Sequence, residues 1–183
     1  MSKKNVLQGT TRITIAAMMT AISVVVGIFC KNYLNFSGGL FRITFENLPI
    51  LISGIVYGPI VGGIVGLASD LVGYIFSAQV YPPNLIVTLG ATMVGMISGV
   101  VAKYIVRKKG RTQIICSGIS AHVIGSMIIK SIGLYQFYGI LVLWRIPTYI
   151  IISAVEIMII CVLLKRKAFA NLIGYSGEKN ELH

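Results

Sequence analysis

The sequence predicts an all-α integral membrane protein of six transmembrane helices with both termini in the cytoplasm. Three observations predict it. The chain has 183 residues, 56% of them hydrophobic and only 11% charged, where a soluble domain carries about 25% charged residues. Its mean hydropathy is +0.86. Several apolar runs approach the roughly 20 residues that a helix needs to cross a bilayer, and the basic residues gather in alternate gaps between those runs.

The first span is expected at about 12–30. It has no A-x-A cleavage site after its apolar part and further spans follow, so it reads as a span and not as a removable signal. A second, short segment at about 48–57 is too brief to cross alone as an ordinary helix. It is a partial or tilted span, or it joins the third segment, about 60–77, through the break at Tyr57-Gly58-Pro59. Irregular backbone at that depth is tolerated only where protein or water covers it. The fourth, fifth and sixth spans are expected at about 85–106, 113–132 and 146–164. Residues 1–183 are read as one membrane domain.

Charge orients this topology. With the N-terminus inside, the inner flanks hold Lys3, Lys4, Arg12, Lys103, Arg107, Lys108, Lys109, Arg111, Lys165, Arg166, Lys167 and Lys179, which is 12 of the 16 basic residues. Lys31, Arg42, Lys130 and Arg145 stay outside. This satisfies the positive-inside rule, and it accounts for the net charge of +11 without nucleic acid as a partner. The three cysteines, Cys30, Cys116 and Cys161, are far apart and carry no metal or disulfide signature.

Small residues recur at helical spacing. Gly58, Gly62, Gly66 and Asp70 lie four apart in the third segment, with Gly73 beyond. Ala91, Gly95 and Gly99 follow in the fourth, and Ser117, Ala121 and Gly125 in the fifth. Such stripes let helices approach closely in lipid. Ala17 and Ala21 form a similar stripe in the first helix, which the pattern leaves open to internal packing or to a second membrane protein.

The outer ends carry an unusual set of polar and aromatic groups: Arg42, Phe45, Glu46 and Asn47, then Asp70 and Tyr74, Tyr81 and Asn84, Lys130 and Tyr135, and finally Trp144, Arg145 and Tyr149. An aromatic belt explains some of the rings. It does not explain Asp70, since an ionisable group inside a span faces a cavity or a partner. Arginine offers a fork for carboxylates and aromatic rings offer stacking surface. The set suits a small planar anionic ligand; the rival reading is a structural salt-bridge net among Arg42, Asp70 and Arg145. His122 reads as a packed, hydrogen-bonded histidine and Glu156 as a buried carboxyl with a polar partner. A proton-coupled carrier would instead use Asp70, His122 and Glu156 in transport. No H-E-x-x-H and no clustered aspartate pair points to an enzyme.

The block Arg42-Ile43-Thr44-Phe45-Glu46-Asn47-Leu48-Pro49-Ile50, followed by Gly58-Pro59, Gly62, Gly66, Asp70 and Gly73, resembles the folate-specific S components of energy-coupling-factor (ECF) transporters. Ala17-Met18-Met19-Thr20-Ala21 is similar to their first-helix A-x-x-x-A motif, and Trp144-Arg145-Ile146-Pro147 to the start of their last helix. The likeness covers about residues 10–166. Tyr81-Pro82-Pro83-Asn84-Leu85 departs from the aromatic-Pro-Gly-Phe-Thr turn frequent in the folate members, so an S component for pantothenate or a modified purine stays open. The resemblance implies the S-component fold, a bacterial cytoplasmic membrane, and high-affinity uptake of folate from outside. It implies docking through Ala17 and Ala21 onto a transmembrane coupling protein with two ATPases, and toppling of the loaded chain in the membrane. It implies no cofactor in this chain, ATP being used by the partners, and no enzymatic activity.

Overall fold

Thirty-one residues without a proline, Lys3–Tyr33, form the first helix, α1. It begins some nine residues before the expected span, because the residues ahead of Arg12 include good helix formers and no proline. This computed structural model describes residues 3–36, 41–76, 84–107 and 110–166. After α1 come two short strands, β1 (Asn35–Phe36) and β2 (Phe41–Arg42), paired antiparallel with Asn35 opposite Arg42. The sequence did not signal this ladder. It ties the end of α1 to the segment that leads into the second helix.

That helix, α2 (Asn47–Tyr57), has 11 residues, about 16 Å at 1.5 Å per residue. Most of it is buried: Asn47 and every residue from Pro49 to Ile55 are shielded. The half-length span is therefore wrapped in protein, the condition under which a broken helix is tolerated at membrane depth. Gly58 ends it at φ +96°, a left-handed conformation that favours glycine. Pro59 opens α3 (Pro59–Phe76), where a missing N–H costs nothing.

The helix α4 (Leu85–Val100) starts at Asn84, whose side chain accepts from the Ile86 N–H at 2.9 Å, and continues as a π-wound turn over Val101–Ile105. Gln113, in α5 (Arg111–Ala121), closes that end. Its buried amide donates to the Ala102 carbonyl at 2.7 Å and to that of Val106 at 3.2 Å. Gln113→Leu is expected to strand both carbonyls, lowering stability by about 2 kcal/mol and Tm by about 4–8 °C. Thermal unfolding in detergent checks this.

The chain then stays helical from Arg111 to Lys165. A π-wound stretch, His122–Lys130, follows α5. Next come α6 (Ser131–Tyr138), a 3-10 stretch (Gly139–Trp144) and α7 (Arg145–Lys165). The expected outer turn between the fifth and sixth spans is thus itself helical. Its direction changes at Gly139, which ends α6 at φ +56°.

Among the described residues, four segments are long and apolar enough to cross a membrane: Thr10–Tyr33, Pro59–Phe76, Leu85–Ile105 and the continuous Arg111–Lys165, with α2 shorter. The surface is apolar, with Ile60 at 75% and Leu85 at 80% exposure. The interior holds Ile50, Leu51, Val65, Val94 and Ile160 beside Ser53, Ser98, Ser117, His122 and Glu156. This distribution fits lipid as the surrounding solvent. At the centre, α3 packs most extensively on α4, with α2 against both. Gly54, Gly62 and Gly95 meet there backbone to backbone.

Candidate functional site

At the end of the bundle where α3 finishes and α4 begins lies a cavity of about 80 Å³. Its walls include Lys31 from α1, Thr44, Glu46 and Asn47 from the entry to α2, Asp70 and Tyr74 from α3, and Asn84 and Thr88 from the start of α4. Lys130 rises from the π-wound stretch, and Arg145 and Tyr149 come from the first turns of α7. Leu71, Val87 and Leu134 supply apolar wall.

Local rules place these groups. Asn84 caps α4 and also donates to the Gly133 carbonyl at 2.6 Å, tying α4 to α6. Thr88, one turn further, donates to Asp70 Oδ2 at 2.7 Å, so the intramembrane carboxylate has a partner in the next helix. The entry to α2 is seated on α1: the Ser23 hydroxyl donates to the Glu46 carbonyl at 2.6 Å, and Gly27 leaves room for the Glu46 carboxylate. Arg145 is 5% exposed and its guanidinium lies over the Tyr138 ring at 5.5 Å, a cation–π arrangement.

Lys130 is a second buried cation. It is 7% exposed. Its ammonium donates to Asn47 Oδ1 at 3.1 Å and lies 3.6 Å from Glu46 Oε1. Its stem crosses α4 over Gly90, where a Cβ would stand 2.6 Å from Lys130 Cγ. Gly90→Ala is therefore expected to push the stem aside and weaken ligand affinity about tenfold, a loss near 1.4 kcal/mol, with a fall in Tm as well, since the Cβ would also stand 3.0 Å from the Gly125 carbonyl oxygen. Calorimetric titration of the purified variant tests this. Three cations, Lys31, Lys130 and Arg145, face two carboxylates, Glu46 and Asp70. With amides, hydroxyls and two tyrosines among them, the walls can pair with a ligand that carries both an anionic group and ring N–H and C=O groups.

Of the residues singled out from sequence, Asn47, Asp70, Tyr74, Asn84, Lys130, Arg145 and Tyr149 come together on this cavity. Trp144 and Tyr135 do not. Trp144 is 66% and Tyr135 61% exposed, because their neighbours Arg145, Gly133 and Leu134 take the inward positions. Both rings face outward, as in an interfacial belt. Phe45 is half-buried beside the site without lining it. Arg42 contributes its backbone to the β1–β2 ladder, while its side chain, like Tyr81, lies outside the described residues. Glu46, named in the outer polar set, lines the cavity as well, whereas sequence reasoning missed Lys31, Thr44 and Thr88 as wall residues. The signal for two was present: Lys31 continues the Ser23–Gly27 stripe at four-residue spacing, and Thr88 stands four beyond Asn84.

Deeper in the bundle, His122 Nε2 and Glu156 Oε2 lie 2.8 Å apart, both essentially inaccessible. Ser126 Oγ is 3.5 Å from His122 Nδ1. His122 is thus a packed histidine with a carboxylate partner across two helices. Among the described residues no group of His, Cys, Asp and Glu is arranged to hold a metal ion.

The sequence pattern of the family described as the ECF transporter, substrate-specific component, matches residues 11–175, and the chain belongs to that family. It is a family of transporter components and not of enzymes, and its apolar helices make this chain a membrane protein. A curated relative, the folate transporter FolT of Clostridium novyi, is 35% identical over 81 residues, 44% of this chain and 46% of that protein. An uncharacterised protein of Mycoplasma pneumoniae is 32% identical over 107 residues, 54% of this chain and 22% of that protein. The chain thus matches less than half the length of either relative. The crystal structure of FolT bound with folic acid superposes with a TM-score of 0.60 at 20% identity, covering 91% of this chain and 95% of that one. The S component of a bacterial ECF transporter superposes equally well, at 0.60 and 23% identity, covering 90% and 98%. These likenesses establish the S-component fold.

Proposed function

We propose that the chain captures folate on the outer face of a bacterial cytoplasmic membrane and delivers it to an ATP-driven ECF complex. The cavity is the observation that carries this reading. It gathers three cations, two carboxylates, two amides and two tyrosines at one end of an otherwise apolar bundle. Folate offers matching chemistry: a flat ring with hydrogen-bonding edges, joined to an anionic glutamate. The FolT relative and the folic-acid-bound structural neighbour support the same ligand. At about 80 Å³ the cavity is below the 300–1,000 Å³ usual for small-molecule sites. Loading therefore includes a parting of its walls.

Six spans with both termini inside is the topology that goes with this function. In that reading α2 is a partial span, and the Gly139 break divides Arg111–Lys165 into two crossings. The supporting observations are the break itself and the clustering of basic residues at one side. Ala17 and Ala21 are exposed, in a face that also exposes Ile13, Met18, Ile22 and Val25. Small residues left uncovered in a lipid-facing helix suit close approach of another helix. We assign this face to the transmembrane coupling protein, which works with two ATPases.

The test uses proteoliposomes holding the chain with its coupling protein and ATPases. ATP-dependent uptake of labelled folate is expected, with no uptake of riboflavin or pantothenate. Ala17→Trp should abolish uptake while the isolated variant binds folate as the unaltered chain does. Uptake that persists without ATP, or a preference for either control vitamin, contradicts the proposal.

A further inference from the structure

The buried His122–Glu156 contact is not part of the cavity, yet it stands at the base of the element that presents Lys130. The nine residues His122–Lys130 are wound as a π-helix. Extended π winding is rare, and short π segments are frequent at functional sites. Each residue inserted into a helix turns the remainder of that helix by about 100°, so the winding between His122 and Lys130 decides which way Lys130 points. His122 opens the π stretch and Lys130 closes it. Glu156, 2.8 Å from His122, sits on the inner face of α7, two turns below Tyr149 on the cavity wall. Ser126, one turn on, turns its hydroxyl to the other ring nitrogen at 3.5 Å. At the upper end, Lys130 passes through the gap left by Gly90, and Gly125 packs on Val94 and the Gly90 carbonyl. The stretch is thus pinned at its base by the His122–Glu156 contact and at its middle and top by close contact with α4.

We infer that His122 and Glu156 are positioning residues for the ligand site: their contact holds the π winding that turns Lys130 toward Asn47, Glu46 and the cavity. The inference rests on the proposed function for the identity of the ligand, and not for the geometry. Asn47 and Glu46 hold the ammonium from the opposite side, while the pair acts on the backbone beneath it. Removing one partner would leave the other as an uncompensated buried group, which confounds folding with function. Replacing both by apolar residues avoids that.

The experiment compares the full-length chain with the double variant His122→Leu/Glu156→Leu, with Lys130→Met, and with all three changes together. The double variant is expected to keep its Tm within a few degrees and to bind folate at least tenfold more weakly. Adding Lys130→Met to it should cause no further loss, because both routes remove the same contact. Glu156→Gln, which keeps size and a polar contact with His122, should bind within about threefold of the unaltered chain. Losses that add across the triple variant, or a double variant with full affinity, overturn the inference. A ligand-independent readout runs beside it. In a chain with Cys30, Cys116 and Cys161 replaced by alanine, Lys130→Cys should react with a small cationic thiol reagent from the cavity. The reaction should slow at least tenfold when His122 and Glu156 are both leucine. Unchanged labelling overturns the inference. If the unaltered chain does not bind folate, the ligand assignment falls and the labelling rate alone decides the role of the pair.

Discussion

Gly95→Leu is expected to leave no folded protein. A Cβ at Gly95 would run into the Gly62 carbonyl of α3 and stand 3.0 Å from the Gly63 nitrogen. The obstructing atoms are backbone, so no rotamer change relieves the conflict. The neighbouring Gly62 and Gly54 are equally hemmed in, with a Cβ at Gly62 reaching within 2.6 Å of Gly54 Cα. Three helices therefore have no direction in which to yield without giving up the α3–α4 contact, the most extensive in the bundle. In lipid that contact rests on packing, not on exclusion of water. Overpacking of an adaptable core costs about 1–3 kcal/mol, and a backbone-limited site lies at or above the top of that range. Expression in detergent should yield no monodisperse peak and no cooperative unfolding transition. Met18→Leu, on an exposed face, should change neither. A Gly95→Leu protein with unaltered Tm would mean that α3 and α4 do not meet as described.

Lys130→Met is expected to be the most damaging single change to ligand binding. Methionine fills nearly the same path across Gly90, so the fold should survive. What is lost is the buried cation that Asn47 and Glu46 hold at 3.1 and 3.6 Å. A hydrogen bond to a charged group contributes about 1.5–3 kcal/mol, which converts to roughly 10–150-fold in Kd. Lys31 and Arg145 remain to attract an anion, so the loss should appear as faster release more than as slower capture. Stopped-flow binding separates the two. A Lys130→Met protein with unaltered affinity would remove Lys130 from the site.

Much of this architecture is legible in the sequence because each signal is local. Gly62 and Gly66 against Ala91 and Gly95 announce themselves by four-residue spacing, and Gly58-Pro59 marks the break between α2 and α3. Basic residues sort the loops. The features that stay hidden depend on other elements. Tyr135 and Trp144 belong to residue types that serve belts and pockets alike, and only their helical neighbours decide which way they face. Glu46 has no periodicity to mark it; its place comes from Ser23 and Gly27 on another helix. The π winding over His122–Lys130 has no sequence signature, since it goes with a contact to Glu156 34 residues away in the chain. The connector after Ile132 reads as an outer turn in sequence, yet it is helical, with a positive φ at Gly139.

The central claim is that this outer cavity, and no other surface, receives folate. The most direct measurement is calorimetric titration of the purified chain with folate, made in parallel on Lys130→Met and Trp144→Phe. One saturable site per chain is predicted, weakened at least tenfold by Lys130→Met and unaffected by Trp144→Phe. Tight folate binding that survives Lys130→Met but is lost with Trp144→Phe would place the ligand on the lipid-facing belt and contradict the account.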